Sequence, residues 1–135
     1  MSQLNPYLHF KDDAREAMEF YKSTFGGELT LMTFGDMHMG EAADANKVMH
    51  STLTAGDLVI MASDAPEHWE TQPGNSVGMS LSGDNEDELR GYWSKLAEGA
   101  NVMQPLEKAP WGDTFGMLVD KFGIEWMVNV NAQRG

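Results

Sequence analysis

The sequence predicts an α+β fold of two βαβββ modules, their strands forming one curved eight-stranded sheet with the helices outside. Three observations carry this expectation. An amphipathic helical pattern occurs twice. One short extended stretch precedes each copy and three follow it. Finally, "FYKSTFGG" from Phe20 aligns with "YWSKLAEG" from Tyr92, matching two adjacent aromatics and a terminal Gly at an offset of 72 residues.

The first module, about residues 3–64, opens with the strand-like "NPYLHF". Ala14, Ala17, Met18, Tyr21 and Phe25 then recur at helical spacing, behind Asp13 with Glu16 three places on, which predicts a helix begun by a capping box. Gly26 and Gly27 supply the left-handed backbone that ends it. The strands "ELTLMTFGD", "KVMHSTLTA" and "DLVIMASD" follow, with "MHMGEAADAN" as an inserted loop. "APEHWETQPG", residues 65–74, reads as a linker through its two prolines.

The second module, about 75–131, repeats the plan. "NSVGMSLS" is its first strand, with Val77, Met79 and Leu81 expected to face the helix. Asn85 with Glu88 starts a helix carrying Leu89, Tyr92, Trp93 and Leu96 on one side and stopping at Gly99. "NVMQPLEKA", "DTFGMLVD" and "GIEWMVNV" complete the strands. At 135 residues the two modules are expected to share a single domain, residues 1–135. One helix covers only one face of a four-stranded sheet, so the uncovered faces are expected to line a cup that takes a small molecule.

Composition narrows the partners. A formal charge of −12, from 21 acids against 9 bases, repels phosphate backbones and anionic membranes, which excludes nucleic acid and membrane as partners. No apolar run approaches a membrane span, and "MSQLNPYLHF" has no secretory pattern. The absence of Cys fits a reducing cytoplasm, the expected location. Neither "FGG" nor "TFGD" has the spacing of a phosphate-binding loop.

The pieces "PYLHF", "AREAMEFYKSTFGGEL", "VMHSTL" and "DKFGIEWMVN", in that order over about residues 3–131, resemble the vicinal oxygen chelate superfamily of glyoxalase, bleomycin-resistance proteins and extradiol dioxygenases. Within it the sequence is most similar to the PhnB-like branch. The resemblance implies the glyoxalase fold and a homodimer. It also implies four positions, on the first and last strand of each half, where the superfamily's metalloenzymes hold a divalent ion with His, Glu or Gln. Here those positions fall on Asn5 or Tyr7, Ile60 or Met61, Ser76, and Met127. Amide, phenol, hydroxyl and thioether groups are poor ligands for a hard or borderline ion. No cofactor is therefore expected, and a divalent metal moved onto His9, His50 and Glu125 is the alternative. Relatives of this branch often carry a ubiquinone-type methyltransferase label, yet no stretch resembles a glycine-rich loop for a methyl-donor nucleotide.

The candidate ligand-binding residues are Tyr7, His9, His50, Met61, Trp111, Glu125 and Met127. Tyr7 and His9 alternate with Leu8 and Phe10 and so share the face away from the helix. His50 would stand opposite Met61 if the hairpin turn were Ala55 and Gly56, and its face is open. Glu125 shares a strand face with Met127 and Asn129; it either points into the cavity at its rim or is a solvated acid beside a turn. Trp111, between a proline and a glycine, would wall the cavity mouth. Trp93 and Trp126 read as packing, and His38 and His68 as surface loop residues. No Ser, Ser63 and Ser76 included, has a His and an acid in a recognisable arrangement. The sequence thus reads as a PhnB-like protein binding a small organic ligand, with a metal-dependent lyase, isomerase or dioxygenase, or a drug- or toxin-sequestering protein, as alternatives.

Overall fold

Alternation of buried and half-exposed residues along the strands, and helix faces of small and aromatic side chains, build each half in the computed structural model, which describes residues 2–39, 42–66, 69, 74 and 76–132. The chain divides into two units, Met1–Gln72 and Pro73–Gly135. Each has the βαβββ order that its sequence pattern predicts, so the chain is α+β. Among the described residues no helix is long and apolar enough to cross a membrane.

In the first unit β1 (Tyr7–Phe10), α1 (Ala14–Phe25), β2 (Glu28–Thr33), β3 (Val48–Ala55) and β4 (Leu58–Asp64) form a sheet in the order β1-β4-β3-β2, with β1 parallel to β4. Ala14, Ala17, Met18 and Tyr21 of α1 are fully buried, as are Leu53 and Ala62 of the sheet, and α1 packs on β2, β3 and β4. Two small residues at the start of the helix stripe let its backbone approach the sheet, and Met18 and Tyr21 fill the space beyond.

The capping box expected at Asp13 and Glu16 does not form, because the Asp13 side chain makes no capping hydrogen bond. A residue fifty positions on takes its place. Asp64 Oδ1 accepts the Ala14 N–H at 2.9 Å, while Oδ2 accepts the Val48 N–H at 2.9 Å. Burial pushes the Asp64 carboxyl above its ordinary range, and the two N–H donors oppose that rise. After the helix, Gly27 has φ 86° and a Cβ there would collide with the Thr54 carbonyl oxygen, so this crossing needs glycine.

The β3–β4 hairpin turns one residue later than expected. Ala55 pairs with Leu58, leaving Gly56 and Asp57 as the loop, so Met61 stands opposite Thr52 rather than His50. The correction moves the register by two residues and therefore preserves the faces.

The second unit contains β5 (Met79–Gly83), α2 (Glu86–Leu96), β6 (Asn101–Lys108), β7 (Thr114–Val119) and β8 (Glu125–Val130), in the sheet order β5-β8-β7-β6. Asn85 Oδ1 accepts the Glu88 N–H at 3.1 Å, the cap predicted for α2. Leu89, Leu96, Leu118, Trp126 and Val128 form the core. Val77 corrects the expectation that it faces the helix: it precedes the strand and is 82% exposed. Pro105 lies in β6, the edge strand, where a missing N–H is tolerated and the pairing to β7 slips twice. The Trp93 ring of α2 lies against Gly116 of β7; a Cβ there would come within 2.8 Å of it.

The turn "DKFGIEW" is organised by buried Asp120. Its Oδ1 accepts the N–H groups of Phe122 and Ile124 at 2.9 and 3.0 Å, and Oδ2 accepts Trp126 Nε1–H at 2.8 Å. This fixes the phase of β8, with Trp126, Val128 and Val130 buried and Glu125, Met127 and Asn129 on the opposite face.

Candidate functional sites on the two open faces

Cross-strand register assigns the helix-free face of the first unit. Tyr7 stands opposite Met61, Met61 opposite Thr52, and Thr52 opposite Thr30. The next row holds His9 opposite Ser63, and His50 opposite Met32. The face of His50, open in the sequence, is thus the one that carries Tyr7 and His9.

These side chains touch. The Tyr7 hydroxyl is 3.1 Å from His50 Nδ1, and Thr52 Oγ1 is 3.2 Å from His50 Nε2. A neutral imidazole has one donor and one acceptor nitrogen, so the two hydrogen bonds run in one direction. With the proton on Nε2, Tyr7 donates to Nδ1 and Nε2–H donates to Thr52; the other tautomer reverses both. The Tyr7 ring centroid is 5.3 Å from that of His9 and 5.8 Å from that of His50, both tilted. Tyr7 and His9 are exposed, whereas His50, Thr52 and Met61 are half-buried. Hydroxyl, imidazole, thioether and aromatic surface meet here, with no Lys or Arg at these positions.

The second unit has its own open face. Met127 stands opposite Ser80 on one side and Met117 on the other, and Asn129 opposite Ser82 and Phe115. Glu125 pairs with Val119 at the start of β8, half-buried beside Gly78. Beyond Phe115 a groove of about 290 Å³ is lined by Gln104, Glu107, Lys108, Pro110, Trp111 and Phe115. Trp111 is 60% exposed and meets Phe115 edge-on, with ring centroids 5.8 Å apart. Asp113 anchors the neighbouring chain by accepting Asn129 Nδ2–H at 3.1 Å and the Ala132 N–H at 2.8 Å.

The metal positions that the superfamily resemblance implies are now assignable by register. Ala65 N–H donates to Phe10 O and Asn131 N–H to Gly83 O, each at 2.7 Å, so the two parallel pairs end alike. Tyr7 with Met61 therefore corresponds to Ser80 with Met127. Ser76 is corrected: it precedes β5, and Ser80 takes the place expected of it. Ile60 is also excluded from the open face, being buried beneath the sheet. A phenol, a hydroxyl and two thioethers do not fit a divalent ion that prefers imidazole or carboxylate. Among the described residues no three His, Cys, Asp or Glu side chains are grouped to hold a metal ion.

Sequence reasoning missed Thr52, Ser80 and Phe115. Ser80 was missed because the strand expected over "NSVGMSLS" begins only at Met79, so a position placed on Ser76 fell ahead of the strand. Thr52 was recoverable, since it alternates with His50. His38 lies in a loop with φ 53°, and His68, with most of the linker, lies outside the described residues.

Comparison with known proteins follows the same outline. A family model described as 3-demethylubiquinone-9 3-methyltransferase matches residues 2–129. The crystal structure of protein PA1353 from Pseudomonas aeruginosa is 34% identical, with a TM-score of 0.90 over 98% of this chain and 100% of that one. Protein YjdN of Escherichia coli is 27% identical over 97% of each chain. A putative 3-demethylubiquinone-9 3-methyltransferase, PhnB protein, from Bacillus cereus is 24% identical, covers 96% of this chain and 100% of that one, and has a TM-score of 0.75.

Proposed function

The chain belongs to the 3-demethylubiquinone-9 3-methyltransferase family, a PhnB-type branch of the vicinal oxygen chelate superfamily, and from that premise we propose that it binds a small organic ligand without a resident metal. The observation that carries this reading is the pair of register-equivalent couples, Tyr7 with Met61 and Ser80 with Met127. Soft and neutral groups stand where chelation would need imidazole or carboxylate.

The open faces suit an uncharged, partly aromatic molecule. Thioethers adapt to shape and favour ring contacts, while Thr, Ser, Tyr and His supply hydrogen bonds that orient the ligand. Trp111 and Phe115 add an aromatic groove on the second unit. A methyl-transfer role would need a site for a methyl-donor nucleotide, and no stretch of the sequence resembles a glycine-rich loop for one. In the same reading the protein is a cytoplasmic homodimer.

A thermal-shift screen of uncharged aromatic and heteroaromatic compounds, run alongside anionic nucleotides, tests the proposal. A ligand that binds the folded state raises the melting temperature in a concentration-dependent way. Hits whose shift disappears in Met61→Asp or Met127→Asp support it. Hits confined to anionic nucleotides contradict it.

A further inference from the structure

We propose that Thr52, His50 and Tyr7 form a proton relay ending at the Tyr7 hydroxyl, and that the open face of the first unit takes a ring compound bearing an acidic hydroxyl, a phenol or enol. The inference rests on the ligand-binding reading above and adds both a ligand class and a chemical role.

Three features point to it. Both His50 nitrogens are engaged, Nδ1 by Tyr7 and Nε2 by Thr52, so the imidazole is not itself presented to a ligand. It orients Tyr7, a residue 40% exposed, and exchanges a proton with it. Imidazole is the side chain that titrates nearest neutrality, which makes it the natural reservoir of such a chain. Second, the rings of His9 and His50 each stand within 6 Å of the Tyr7 ring, with Met61 opposite Tyr7, a surface that favours a flat ring. Third, no Lys or Arg lies among the facing positions of β1 to β4, so a phosphate or carboxylate finds no counter-ion. Among the described residues the titratable groups on the face of His50 are Tyr7 and His9 from β1 and, farther along β2, Glu28; β2 also contributes Thr30 and Met32, and β4 contributes Met61 and Ser63.

The step conserves charge. Starting with the His50 proton on Nε2, the ligand O–H bond breaks and its proton goes to the Tyr7 oxygen. The Tyr7 proton passes to His50 Nδ1. The products are a ligand oxyanion accepting a hydrogen bond from Tyr7 and a His50 imidazolium still donating from Nε2 to Thr52. The imidazolium balances the new negative charge. Tyr7 touches the ligand, whereas His50 and Thr52 act through it.

4-Nitrophenol is a direct probe, because its neutral and ionised forms absorb at different wavelengths. At a pH where the free probe is mostly protonated, titration with wild-type protein is expected to raise the phenolate band to saturation. Equilibrium dialysis reports binding separately. In Tyr7→Phe and His50→Gln the phenolate fraction of bound probe is expected to fall at least about tenfold while binding changes less, and Thr52→Val is expected to be intermediate. All three substitutions lie on the open face, and unchanged melting temperatures confirm folding. Probe that binds but stays protonated overturns the relay and leaves the ligand-binding reading standing. Probe not retained in dialysis overturns the ligand class, while the thermal-shift screen still decides the wider reading.

Discussion

Asp64, the last residue of β4, caps α1 through Ala14, its Oδ1 accepting that N–H at 2.9 Å across fifty residues of sequence. The second oxygen holds Val48 at the start of β3, so one buried carboxylate ties a helix and two strands together. Removing an acceptor from a buried donor costs about 1–3 kcal/mol. Asp64→Ala strands two such donors and is expected to be among the most destabilising single changes in the first unit, read by urea unfolding.

The pH dependence of Asp64 has a definite sign. Burial raises its carboxyl in the folded state above the unfolded value, so the folded protein holds this proton more tightly. Stability from this group therefore falls as pH rises from the ordinary carboxylate range through the raised folded value, and returns as pH falls. The stability gap between wild type and Asp64→Asn is expected to be wider at about pH 4 than at about pH 7. A gap that narrows on acidification would contradict the assignment.

Gly116→Ala tests the close packing of α2 on its sheet. The new methyl group meets the Trp93 ring and the Leu106 backbone, both within 3 Å, and only the ring has room to give. Overpacking of this kind costs about 1–3 kcal/mol. A blue or red shift of the tryptophan emission together with lowered stability is the expected result, and a stability equal to wild type would show that Trp93 does not rest on Gly116.

Much of this architecture was legible because it is local. The helical spacing of Ala14, Ala17, Met18, Tyr21 and Phe25, and the alternation around Trp126, express contacts made within one element and the layer beneath it. The Asn85 cap was legible for the same reason, its partner being three residues away. The cap of α1 was not, since Asp64 is remote in sequence and reaches Ala14 only once β1 and β4 pair in parallel. Turn phase was the other weak point. A loop at Gly56 and Asp57 instead of Ala55 and Gly56 changes every cross-strand partner, yet leaves the faces intact, which is why Tyr7, His9, His50 and Met61 emerged on one surface although His50 and Met61 are not opposite each other. The late start of β5, at Met79, left Ser76 ahead of the strand and hid Ser80, four residues on.

Trp111 is expected to matter for ligands and little for folding. Its side chain is exposed and its ring contact is with Phe115 at the groove. Trp111→Ala should leave stability within about 0.5 kcal/mol of wild type. For an aromatic ligand found by thermal shift, loss of one ring contact worth about 0.5–1.5 kcal/mol raises Kd roughly two- to tenfold. Isothermal titration with that ligand checks it.

Asp120→Ala is expected to disturb β8 more than any exposed substitution near it. Three donors, two backbone N–H groups and the Trp126 indole, lose their acceptor, at a cost of at least about 2 kcal/mol. Because the same turn sets the phase of Glu125 and Met127, weakened ligand binding should accompany the loss of stability, measured by chemical denaturation and titration on one preparation.

The most direct test of a neutral, thioether-bearing site is elemental analysis of protein purified without a histidine tag, before and after incubation with Zn, Ni, Mn and Fe salts and desalting. No stoichiometric retention of any of them is expected, and no metal-dependent rise in melting temperature. One equivalent of metal per chain, retained by wild type and lost in His9→Ala or His50→Ala, would contradict it.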